Sequence, residues 1–413
     1  MNGVLPMPLL TKEKSGWFQR WVRRVKRLLN VPPAGHTPAE LAIDADEWAV
    51  IKHKLKLALQ ADQEKAKPMT NSEQAIVDQI RAALLHANRN NVKRTRAYWD
   101  LAVRCPELHW ALLAHVVSRN GGWNMTDLQG EWLPKLMSQE ERLHFFRFLE
   151  TANAYIFQDA YPQLLLYIES RKAGEPYFHL LPHFHVSRFM RPFWESFWRT
   201  GHSPLLTLAL IVNEQHYIEG RIVQHPYFRQ YVLDSALFKA QSLLQLNQVL
   251  IPHEAIPAPT SASEKRLSLC GVVVETFSSL EERIQVGKAL YGLLYHPSVL
   301  EGVRRFATQQ RHTGSRADYW PHLFSTIRPG SRPLDGKTKL NGCKLQNPGD
   351  PVYSPALTHV WPDQVLVEPA RYDWFRDTNA FRYIRSPIAP SYDEMSDEYC
   401  FALKKIEAAA MLT

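Results

Sequence analysis

SPLLTLALIVNEQHYIEGR, residues 203–221, decides the reading of the fold. Ser203 and Pro204 form a helix start, because serine caps first-turn N–H groups and proline's fixed φ suits the first helical position. Leu205 to Val212 are then apolar without a gap. A helix with no polar face must be enclosed by other elements, so this one is central. The run is far too short to cross a bilayer.

Working outward, helical periodicity recurs along the chain. The spacing predicts helices over 38–66, with Thr37 as N-cap and Pro38 in the first turn, and then over 72–88, 93–103, 106–120, 138–150 and 151–169. Further helices are predicted over 203–223, 227–249, 264–279, 279–295, 297–311 and 393–411. Gly121-Gly122 should stop the helix that begins near 106, and Pro162 should bend or end the one it interrupts. LCGVVVETF (269–277) has strand composition, but its place among helical patterns favours a buried helix, while IPHEAIPAPTSASEK (251–265) reads as a surface loop. After about 330, prolines and glycines recur too often for regular structure. The predicted fold is all-α: a large multi-helix domain with an irregular Pro/Gly-rich C-terminal segment. Its parts are a basic helix and linker (1–37), a helical extension (38–71), an all-helical core (72–330) and a C-terminal wrap with a final helix (331–413).

Composition agrees with a globular chain: of 413 residues, 45% are hydrophobic and 22% charged. Cys105, Cys270, Cys343 and Cys400 form no CxxC pair, so neither a zinc ribbon nor a redox dithiol is indicated. Scattered thiols fit a reducing compartment, and with no signal peptide visible a cytoplasmic location is expected. Of the net charge of +8, residues 1–30 carry +6 (seven cations against Glu13), leaving +2 elsewhere. A near-neutral body disfavours a nucleic-acid binder.

SGWFQRWVRRVKRLL (15–29) places Trp17, Phe18 and Trp21 with aliphatic residues on one helical face. Arg20, Arg23, Arg24, Lys26 and Arg27 fill the gaps between them. Such a helix suits the surface of an anionic membrane, each cation adding roughly 1 kcal/mol at low salt, and would place the protein at the inner face of the cell membrane. The alternative is docking on the protein's own core. Liposome flotation separates the two: the intact chain should float with anionic vesicles at low salt, and a chain lacking residues 1–33 should not. Equal flotation of both, or of neither, assigns the helix to the core.

Four polar stretches could carry chemistry. HWALLAHVVSRNGGWNMTDLQG (109–130) gathers His115, Arg119, Asn120, Trp123, Asn124 and Asp127 beside an apolar helix face. ANAYIFQDAYPQLLLY (152–167) sets Asp159 beside Pro162, where it could bind through freed backbone groups or cap the next helix. Asn213 and Glu214 end the apolar helix, and Glu214 could be a burial-perturbed acid or the partner of Arg119, Arg221 or Arg316. RHTGSRADYWP (311–321) packs His312, Arg316 and Asp318 into one loop. Each such group needs a partner once buried, so convergence on one pocket is expected. His179, His183 and His185 surround Pro182 with no acid nearby in sequence, so no metal is expected, and no motif calls for a cofactor.

HWALLAHVVSRNGGWNMTDL, FQDAYPQLLLY, LIVNEQHYIE and HTGSRADYWP resemble the recurrent segments of the YppC-like family, uncharacterised proteins of Bacillus and related Gram-positive bacteria. The similarity spans roughly residues 75–330. The resemblance implies a bacterial cytoplasmic setting and carries no activity, cofactor or catalytic residue. Two functions follow from the residues themselves. One is a pocket protein for an anionic small molecule, gripped by Arg119 or Arg316, with enzyme activity left open. The other is a non-catalytic membrane-surface adaptor that binds an unidentified protein through its helical body.

Overall fold

The computed structural model describes residues 41–61, 68–240, 247–254, 267–329, 338–386 and 394–412. Its longer helices are α1 (Ala45–Gln60), α2 (Asn71–Ala87), α3 (Asn91–Arg104), α4 (His109–Asp127) and α5 (Gln139–Ala173). They continue with α6 (Arg191–Thr200), α7 (Ser203–Ile218), α8 (Leu280–Leu294), α9 (Pro297–Gln309) and α10 (Ser396–Met411). The fold is all-α with a few short strands.

The apolar run is α7, buried at every position from Ser203 to Asn213 and packed by α4, α5, α6 and α8. Its Leu and Ile side chains contribute about 1.5–3 kcal/mol each through burial. Ser203 is the first helical residue rather than the cap, and its hydroxyl donates to the Glu107 carbonyl at 2.6 Å. Capping boxes start α2 (Thr70 with Glu73) and α5 (Ser138 with Glu141), where serine or threonine followed three residues on by glutamate predicts them. The cap of α1 is Asp44, receiving the Asp46 and Glu47 N–H groups, and not Thr37, which with Pro38 lies outside the described residues.

Three expectations are corrected. Gly121 and Gly122 do not end a helix: α4 runs through them to Asp127, because glycine accepts the right-handed conformation as well as the left and here admits a close neighbour. Pro162 does not end α5, which is a single 35-residue helix. The roughly 3 kcal/mol that proline costs is outweighed by burial of Phe157, Leu164, Leu166 and Ile168 on either side of it. Asp159 is therefore mid-helix and caps nothing.

The third correction is a hairpin. β1 (Gln248–His253) pairs antiparallel with β2 (Ser268–Val273), where helices were predicted on either side of a loop. Periodicity cannot separate a short buried strand from a buried helix, and the deciding interaction comes from far away. Asn120 on α4 accepts the Leu250 N–H at 2.8 Å and donates to the Leu250 carbonyl at 2.6 Å, pairing with the strand as a neighbouring strand would.

The C-terminal segment docks on the body. Arg221 lies between the rings of Tyr217 and Tyr372 (3.8 and 4.1 Å to the centroids) and donates to the Ala370 and Tyr372 carbonyls. Asp373 accepts from Ser187 at 2.6 Å, and Trp374 stacks on His216 at 4.1 Å. Helix α10 closes a second hydrophobic cluster with Trp123, Tyr319 and Trp320. Cys343 and Cys400 are joined by a disulfide across 5.3 Å between Cα atoms, and not scattered free thiols as expected; Cys105 and Cys270 are free and buried. Two cysteines 57 residues apart carry no spacing signal. Among the described residues, no helix is long and apolar enough to cross a membrane.

Candidate functional site

The candidate residues fall into three groups strung along α4, α5 and α7. The first lies at the C-terminal end of α4. Arg316 donates through Nε to both carboxylate oxygens of Asp127 (3.0 and 2.8 Å) and through Nη2 to Asp127 Oδ2 at 2.6 Å. It also reaches Asn124 Oδ1 at 3.1 Å and the Tyr319 hydroxyl at 2.7 Å, which in turn donates to the Tyr399 hydroxyl. The Asp127 carboxylate holds the guanidinium protonated, well above its ordinary range, against the opposing effect of burial. Two-point pairing of this kind is both strong and directional.

The second group surrounds Gly122. A Cβ at this position would lie 2.4 Å from Asn91 Oδ1 and 2.5 Å from His312 Nε2. His312 Nε2 therefore reaches Asn91 Oδ1 (3.0 Å) directly across the helix, and its Nδ1 lies 3.3 Å from Asp318. Burial works against ionising Asp318, but His312 and the Thr313 hydroxyl and N–H hold its carboxyl below the usual range. Trp123 Nε1 approaches the same carboxylate at 3.5 Å. His115 Nδ1 meets the Thr95 carbonyl at 2.9 Å, so Nδ1 carries the proton and Nε2 accepts from Arg119 Nε at 3.0 Å. Burial, then the Arg119 charge, keep His115 neutral. Burial also brings Arg119 down to about 10, and its Nη2 donates to the Gln310 carbonyl. Asp127 is thus the partner of Arg316.

The third group joins α5 to α7. Asp159 Oδ2 accepts from Asn213 Nδ2 at 2.5 Å and Gln163 Nε2 at 2.9 Å. Asn213 Oδ1 accepts from Trp374 Nε1, and Gln163 Oε1 from Trp194 Nε1, both at 2.8 Å. Asp159 Oδ1 has no hydrogen-bond partner among the described residues. Burial pushes Asp159 up to about 7 and the neighbouring, half-buried Glu214 up to about 8. Glu214 accepts from Gln215 and pairs with none of the three arginines proposed for it.

The first group borders a cavity. The space, about 40 Å³, is lined by Asn124, Asp127 and Arg316 on one side and by Leu403 and Ile406 of α10 on another. Gln248, 7% exposed, is also among the lining residues, and its amide Nε2 and Oε1 are buried with no hydrogen-bond partner among the described residues. Neither Gln248 nor Tyr399 is legible as a site residue in the sequence, since the first lies inside a predicted helix and the second in a terminal one. Among the described residues no three His, Cys, Asp or Glu side chains are placed to share a metal, and His179 meets Glu73 of α2. The residues expected to face a membrane, 17–27, lie outside the described residues.

Residues 86–400 match the family described as "Protein of unknown function (DUF2515)". The chain belongs to the DUF2515 family. The uncharacterized protein YppC of Bacillus subtilis (strain 168) is 34% identical over 322 residues, 78% of this chain and 90% of that one. The resemblance read from the four segments is therefore correct. No solved structure matches. The DUF2515 match contains all three polar groups and all of the cavity lining except Ala402, Leu403 and Ile406.

Proposed function

We propose that the protein binds a small, neutral, polar molecule in the cavity beside Arg316 and Asp127. The observation that carries this is Gln248. A buried amide without partners costs about 1–3 kcal/mol, and a ligand offering one acceptor and one donor removes that cost. Arg316 and Asp127 already neutralise each other, and Glu131 pairs with Lys339 at 3.2 Å. That balance favours a neutral ligand over the anionic one suggested by the arginines alone. A space of about 40 Å³ takes about three waters, or one molecule of a few heavy atoms. A small carboxamide fits that size and hydrogen-bond pattern.

Gln248→Leu tests the reading in two measurements. The variant should be about 1–3 kcal/mol more stable than the ligand-free parent, because it removes an unpartnered amide of similar shape. It should also lose the thermal-shift response to acetamide and propionamide that the parent shows. A variant that is less stable, or that keeps the response, sinks the proposal, as does a parent that responds to neither amide.

A further inference from the structure

A second, larger space lies at the N-terminal end of α4, between α3 and α9, and shares no residue with the first. It is a half-open groove of about 250 Å³ walled by Trp99, Leu108, Leu112 and Tyr295, with Val103 at its mouth. Val103 is 60% exposed, so the apolar lining continues to the surface. The polar groups in the lining are Arg304, Thr308, the Trp99 N–H and the Tyr295 hydroxyl, which donates to the His109 carbonyl at 3.3 Å. The Thr308 hydroxyl is spent on the Arg304 carbonyl at 2.8 Å. Among the described residues no carboxylate pairs with the Arg304 guanidinium and nothing accepts from Trp99 Nε1; no acid lines the groove.

The charge of Arg304 is felt inside the groove, where it acts on Tyr295 and on the neighbouring His109. An apolar trough that offers donors, one of them an uncompensated cation at its edge, is complementary to an apolar chain ending in an anion. We propose that this groove binds a single-chain amphiphilic carboxylate, its chain along Leu108 and Leu112 and its carboxylate on Arg304. An apolar cavity of about 150 Å³ accepts benzene, so about 250 Å³ accommodates a chain of about eight carbons. The chain supplies the affinity through buried area, and the exposed ion pair supplies the choice of head group, worth up to about fivefold.

Calorimetric titration of the full chain with octanoate, octanol and octylamine at low salt tests this. Octanoate should bind at about one per chain, about fivefold tighter than octanol, with octylamine weakest. Added salt should shrink the octanoate advantage, since exposed charges are screened. Arg304→Gln should equalise octanoate and octanol, and Val103→Glu should reverse their order; both positions are exposed, so folding is not at stake. Octanoate and octanol binding equally to the parent chain, a preference unchanged in Arg304→Gln, or no binding of octanoate at several millimolar would each overturn the proposal.

Discussion

Glu150→Ala should lower the stability of the protein by about 3–5 kcal/mol, a large part of the 5–15 kcal/mol typical of a domain. Glu150 on α5 and Arg94 on α3 form an ion pair at 2.5 Å with side chains 3% and 1% exposed. Among the described residues the Arg94 Nη1 group reaches only the Asn88 carbonyl and side chain, at 3.4 and 3.3 Å. Removing the carboxylate therefore leaves a guanidinium charge inside the protein with no counter-charge. Replacing both partners, Arg94→Met with Glu150→Leu, should recover most of the loss, since apolar side chains of similar volume carry no desolvation cost. Unfolding midpoints in urea for the parent, both single variants and the double variant give the coupling directly. A loss below about 1 kcal/mol for Glu150→Ala, or a double variant as unstable as the single, contradicts the assignment.

The second large effect is a pH dependence centred on Asp159. Its folded carboxyl holds a proton up to about pH 7, whereas in the unfolded chain it releases that proton near 3.8. Between those values the folded state binds more protons than the unfolded state, so the group's contribution to stability falls as pH rises. The total is about 4 kcal/mol, nearly all of it reached by pH 7. Burial is the main cause; the Asn213 and Gln163 amides and the Arg221 charge oppose it, and Asp373 adds to it. The buried histidines, His115 among them, act in the opposite sense below pH 6.5, so the comparison must be between variants. Asp159→Asn should gain stability over the parent steadily from pH 4 to 7 and then level off. Glu214→Gln should show the same rise extending to about pH 8. A stability difference that does not change with pH would mean that these carboxyls titrate normally.

Much of the architecture was legible because helix signals are local. Thr70 with Glu73, and Ser138 with Glu141, announce their helices within four residues, and the run from Leu205 to Val212 announces its own burial. What failed was decided at long range. Gly122 reads as a stop signal until His312, 190 residues later, is seen to need the space a side chain would fill. β1 and β2 read as helix and loop until Asn120 supplies the missing edge pairing. The candidate site was half legible in the same way. Asn124, Asp127 and Arg316 meet as the polar stretches suggest, while His115, Arg119, Asp159 and Glu214 are held in separate buried networks. Gln248 became visible only when its neighbours, and their failure to satisfy it, were known.

The docking of Trp374 on Asn213 sets an order of events during synthesis. The chain from Trp194 through Gln163, Asp159 and Asn213 to Trp374 ends on a residue 161 positions beyond its partner. Helices α5 to α7 can form as they leave the ribosome, but the Asn213 carbonyl oxygen stays without its indole until the last tenth of the chain is made. Contacts that close such long loops come late and slowly. A nascent chain halted before Trp374 would thus keep an open seam beside Asp159, wet and exposed to proteases, although every helix around it was already in place.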